Sequence, residues 1–143
     1  MMAAAQTPVP VEIVDTLRSI CRSLPETYEE PAWVGTRWRI RTRTFAHVLV
    51  IDRGRPEGYA RVVGTDGPTI VLMFRSTDPE LGVLRNTGEP FFAPPWRPDE
   101  VGLILGDLLS HEVDRDEVAE LLTDSYCAQA PRKLARQVER PAE

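Results

Sequence analysis

Cysteine and histidine are scarce in this chain, with two of each among 143 residues. Cys21 and Cys127 are too few and too far apart for a disulfide framework, and neither lies in a CxxC, so a zinc cluster is excluded as well. Both fit a reduced, cytoplasmic protein; Cys21 falls on the apolar face of an expected helix, where a free cysteine packs as a small hydrophobe. His47 and His111 have no second histidine or cysteine at ligand spacing, so no metal is expected. The glycines form no GxGxxG or P-loop order, and no GxSxG elbow is present, so neither a nucleotide cradle nor a hydrolase nucleophile is indicated. Ser110-His111-Glu112 and Asp124-Ser125-Tyr126 hold triad residue types without a triad pattern. Tyr126 is expected in the core with its hydroxyl bonded rather than as a catalytic acid. The expectation is a protein with no cofactor and no catalytic activity.

Long apolar runs are also missing. None approaches the roughly 20 residues that cross a bilayer, and "MMAAAQTPVP" has neither a basic start nor an apolar core for a secretory signal. A soluble protein is expected, with a flexible lead over 1–8, one domain over 9–138 and a flexible tail over 139–143. Hydrophobic residues at 42% and charged residues at 27% are ordinary for such a domain.

What is present in abundance is arginine, and it is unevenly placed. The chain carries a net charge of −5, the wrong sign for a nonspecific coat on nucleic acid. Yet residues 37–61 contain seven arginines against Asp52 and Glu57. Residues 99–124 reverse this, with nine acids against Arg115 alone. A second basic segment, 131–140, sets Arg132, Lys133, Arg136 and Arg140 against Glu139.

The spacing of Ile13, Val14, Leu17, Ile20, Cys21 and Leu24 predicts an amphipathic helix closed by Pro25. "PETYEEPAW" reads as a loop. Residues 36–51 are rich in strand formers but too long for one strand, and the pattern changes near position 43, which predicts a hairpin turning at Arg41, Thr42 and Arg43. "DRGRPEGYARVVGTDGP" reads as an exposed excursion and "TIVLMF" as a buried strand. "STDPELGVLRNTGEP" is a helix with Asp78 as cap, Pro79 at the first position and Gly88 as stop. "EVGLILGDLL" is a strand, and Asp114 with Glu117 opens a second amphipathic helix, followed by a short basic one from Pro131. Hairpin-length links argue for an antiparallel sheet. The fold class expected is α+β: two layers, an antiparallel sheet of about five strands, and helices packed on one face.

"TFAHV", "DPELGVLRNTGEPFFAPPW" and "DRDEVAELLTDSYCAQAPRKLA" resemble the MmcQ/YjbR family over roughly residues 11–138. "SY" followed by "APRKL" is the most specific part. The resemblance implies a small bacterial protein with a two-layer fold like that of secretion chaperones, and a family description as DNA-binding. Departures are Glu100, ahead of Val101, and Arg115, where many members carry tryptophan.

On this reading the candidate nucleic-acid contacts are Arg37, Arg39, Arg41 and Arg43, at alternate positions that would share a sheet face, with Arg132, Lys133 and Arg136. Trp38 is the candidate base-stacking residue. The competing expectation is a solvated sheet face whose arginines pair with acids from "PETYEE" or "DRDEVAELLTD", with Trp38 buried. The partner expected is DNA; the alternative is a protein-interaction or chaperone-like module, with a homodimer or a protein partner. "PFFAPPWRP" is expected to be a stiff aromatic segment packed over the core, the other reading being part of an exposed groove.

Overall fold

The computed structural model describes residues 6–138. The first amphipathic helix forms as α1, Val11–Arg22, and buries Ile13, Leu17, Ile20 and Cys21. Six strands follow: β1 (Tyr28–Pro31), β2 (Thr36–Ile40), β3 (Arg43–Ile51), β4 (Thr69–Arg75), β5 (Phe91–Phe92) and β6 (Glu100–Gly106). They make one sheet in the order β1-β2-β3-β4-β6-β5, every pairing antiparallel. The remaining helices are α2 (Glu57–Val63), α3 (Glu80–Thr87), α4 (Arg115–Gln129) and α5 (Arg132–Ala135).

The α+β fold with an antiparallel sheet is as the sequence predicts, and the expected turn is a two-residue link, Arg41-Thr42, between paired Ile40 and Arg43. Asp114 caps α4 by accepting the Glu117 N–H at 3.2 Å. Asp78 accepts from Gly82 N at 3.2 Å, with Pro79 as the N-cap itself, so α3 starts one residue later than predicted.

Two segments differ from expectation. "PETYEEP" contributes β1, because Tyr28–Pro31 pairs in register with Arg39–Thr36 although Glu29, Glu30 and Pro31 are weak strand formers. The excursion after β3 folds into α2, where Tyr59, Ala60 and Val63 share one helical face against Leu49, Ile51, Val71 and Met73. A second, smaller core therefore lies on the sheet face away from α1 and α4, and helices occupy both faces.

The main core joins α1, α4 and the inward side chains Trp38, Ile40, Val48, Val50, Leu72, Phe74, Val101 and Leu103. The β2–β3 register skips Phe45, which bulges so that Phe45 and Ala46 are both buried. The Phe45 ring meets Tyr126 edge-on at 5.5 Å, and Ser125 Oγ donates to Phe45 O at 2.6 Å while accepting the Arg75 N–H at 2.8 Å. Tyr126 donates to Pro25 O at 2.8 Å. The "SY" pair is thus the pin that fastens α4 to the sheet. No helix among the described residues is long and apolar enough to cross a membrane.

Candidate functional site

Strand alternation separates the residues of the arginine stripe. Trp38 and Ile40 point into the main core, so Arg37 and Arg39 stand on the opposite face. Trp38 is fully buried and donates its indole N–H to Glu29 at 2.8 Å, so it has no ring face open to a base. The stacking role expected of Trp38 is therefore corrected: the alternation that turns the arginines outward turns this indole inward.

The guanidiniums of Arg37 and Arg39 share one carboxylate. Glu30 Oε1 accepts from Arg37 Nε at 2.6 Å and from Arg39 Nη1 at 3.2 Å. These two cations hold the Glu30 carboxyl below its ordinary value, the Arg37 hydrogen bond most of all. Arg41 sits in the turn with φ of 55° and pairs with Glu26 at 2.6 Å. The acids of "PETYEE" thus take up three of the four arginines. Beside Arg37 across the strands, His47 Nε2 meets Val34 O at 2.5 Å, and burial pushes its pKa down, so the ring is neutral near pH 7. Next on this face, Arg75 pairs with Asp99 at 3.2 Å and lies 3.7 Å from Glu100, whose carboxyl burial pushes up.

Arg43 differs from its neighbours. Among the described residues its guanidinium hydrogen-bonds only the neutral Gln129 amide oxygen, at 3.4 Å. Gln129 ends α4, and three residues later α5 begins. In that short helix Leu134 is the buried anchor, which leaves Arg132, Lys133 and Arg136 exposed to solvent. Among the described residues, no ion pair engages Arg43, Arg132, Lys133 or Arg136. Arg140 and Glu139 lie outside the described residues. Arg43 therefore touches the last residue of α4, three residues ahead of α5, and differs from Arg37, Arg39 and Arg41, which already have carboxylates.

The proline-rich aromatic segment is mostly packing. Phe91 joins the main core, while Phe92 lies over Gly102 and joins the smaller one. Arg85 fastens the segment by donating to the carbonyls of Pro94, Arg97 and Glu100. Trp96 meets Tyr59 edge-on at 5.1 Å and stays 46% exposed. Tyr59 is pushed up to about 12, mainly by burial. Sequence reasoning missed Trp33, which is 88% exposed at the tip of the β1–β2 hairpin.

Between the start of α3 and α4, Ser76, Asp78, Glu80, Asp124 and Cys127 line an open groove of about 360 Å³. Burial, then the charges of Asp124 and Glu120, raise the Glu80 carboxyl above its ordinary value. His111 donates to Asp107 O and meets Glu12 Oε1, each at 2.9 Å, while the Ser125 hydroxyl meets Phe45 O and Arg75 N. Among the described residues no group of three or more potential ligands could hold a metal.

The family model described as YjbR matches residues 22–128. Among curated proteins and among solved structures, none matches the chain.

Proposed function

The chain belongs to the YjbR family, and from that premise we propose that it is a nucleic-acid-binding protein, not an enzyme, that grips phosphates with Arg43 and the α5 cations Arg132, Lys133 and Arg136. The observation that carries this is compensation: these four cations have no carboxylate partner among the described residues, whereas Arg37, Arg39 and Arg41 do. An unpaired guanidinium can form bidentate bonds to phosphate oxygens without first losing an internal partner. The contact surface is small, so it fits modest, salt-sensitive binding.

Anisotropy of a labelled oligonucleotide tests the reading. Charge reversal of Arg132, Lys133 and Arg136 together should abolish binding at low salt, and reversal of Arg37 and Arg39 should weaken it far less. Binding that survives the α5 reversal would contradict the assignment.

A protein-interaction module is the second reading, favoured by the acidic groove that Asp78 and Glu80 share with α4. Its complement would be a basic peptide. Protection of Cys127 from thiol reagents by an oligo-arginine peptide would support it, and unchanged labelling would count against it.

A further inference from the structure

The hairpin tip that carries Trp33 is built rigidly. Ala32 N–H bonds Gly35 O at 3.0 Å, closing the turn. The Trp33 carbonyl accepts from Gln6 Nε2 at 2.9 Å, and the Val34 carbonyl accepts from His47 Nε2 at 2.5 Å. Val34 packs into the smaller core. Gly35 has φ of 76°, and a Cβ there would stand 1.9 Å from Val48 O, so the turn is pressed onto β3 and cannot shift outward without losing that fit. Three anchors thus fix the backbone, while the indole between them is 88% exposed.

Tryptophan is the side chain that loses most by standing in water, and a flexible loop could fold it back. Here the clamped carbonyls hold it out. An aromatic ring presented on a rigid support has little conformational entropy left to lose on binding, which is the arrangement that suits a stacking platform.

The charge beside it selects the occupant. Arg37 follows two residues after Gly35, and Arg37 with Arg39 bring two positive charges against the single carboxylate of Glu30. An apolar protein surface would leave that excess charge unmatched; a nucleotide chain supplies a flat base for the indole and a negative backbone near the one positive charge that Glu30 leaves over. Bases in a duplex are already stacked on each other, so only an unpaired one can lie on Trp33. Resting on the nucleic-acid reading above, we infer that Trp33 is a base-stacking platform and that the preferred ligand is single-stranded.

Full-length protein would be titrated with a fluorescently labelled oligothymidylate and, separately, with a duplex of the same length, following both anisotropy and tryptophan emission. Oligothymidylate should quench the wild-type emission saturably. Trp33→Ala should remove that quenching and weaken single-strand binding roughly tenfold, Trp33→Phe should keep most of the affinity, and duplex binding should be unaffected by either. Because the side chain is exposed, both variants should retain the wild-type circular dichroism. Single-strand binding that Trp33→Ala leaves intact would overturn the inference while the basic-patch reading stands. No binding of either oligonucleotide would overturn both. Emission that responds to protein concentration instead of oligonucleotide would place a second copy of the chain on Trp33, and would also overturn it.

Discussion

Trp38 Nε1 donates to Glu29 Oε1 at 2.8 Å, with the indole fully buried and the same carboxylate gripped by Arg18, whose Nε donates to Oε1 at 2.8 Å and whose Nη2 donates to Oε2 at 2.9 Å. This contact settles the orientation of β2: the indole is sealed under β1 and α1, and the arginines on either side of it face away.

Removing the acceptor should expose the cost of that sealing. Glu29→Ala leaves a buried indole N–H without a partner and should destabilise the protein by about 1–3 kcal/mol. Glu29→Gln keeps an acceptor and should cost less. Urea unfolding, read as a shift in midpoint at constant slope, measures both; equal stability of wild type and Glu29→Ala would refute the role given to this bond.

Ser125→Ala is expected to be a larger lesion than its size suggests. The hydroxyl serves Phe45 O and Arg75 N together, and losing it strands two backbone groups where α4 meets the sheet. A loss of at least about 2 kcal/mol follows from the usual penalty for such groups. A near-neutral result would mean that water reaches both.

How much of this was legible beforehand differs by element. Helices α1 and α4 were plain in the sequence because Ile13, Leu17, Ile20 and then Val118, Leu121, Leu122 keep helical spacing through long segments. Helix α2 was hidden, since Pro56, Gly58 and Gly64 dominate the composition of its segment and only Tyr59, Ala60 and Val63 carry the period. Strand β1 depends on its partner: "YEEP" has no preference for a strand, and its carboxylates are held there by Arg18, Arg37 and Arg39. The same dependence explains the candidate site. Alternation located the arginines and could also have shown Trp38 to be internal, but which cations lack a carboxylate is decided by contacts between distant segments, such as Arg41 with Glu26 and Arg43 with Gln129. The exposure of Trp33 had no signal beyond a Gly two residues later.

The two histidines should oppose each other in their effect on stability with pH. Both ring nitrogens of His111 face acceptors, Glu12 and the Asp107 carbonyl, and its pKa is raised, the Glu12 hydrogen bond contributing most. Its contribution is therefore present below the ordinary value near 6.5 and lost as pH rises through the folded value. Burial lowers the pKa of His47, so the unfolded chain binds the extra proton there and stability rises with pH up to about 6.5. His111→Gln should remove the loss that His111 causes at higher pH: below about pH 6.5 both proteins should follow the His47 rise, and above it the wild type should lose stability relative to the variant. Parallel stability profiles for the two proteins would contradict the assignment of opposite shifts.

Two glycines with left-handed backbones should respond very differently to alanine. At Gly64, φ is 80° and an added methyl would meet no atom within 4 Å, so Gly64→Ala should cost about 1 kcal/mol from backbone strain alone. At Gly35 the new methyl would collide with the Val48 carbonyl, so Gly35→Ala should cost several times more, and it should disturb Trp33 as well. Thermal unfolding of the pair gives the comparison; equal losses would show that the hairpin is not pressed on β3.

The most direct test of the central claim is the salt dependence of oligonucleotide binding. If Arg43, Arg132, Lys133 and Arg136 each meet a phosphate, log K against log salt for a single strand should fall with a slope of about −3, and Arg132→Ala with Lys133→Ala should reduce its magnitude by roughly 1.4. A slope that is unchanged in this double variant, or affinity that ignores salt altogether, would contradict the account.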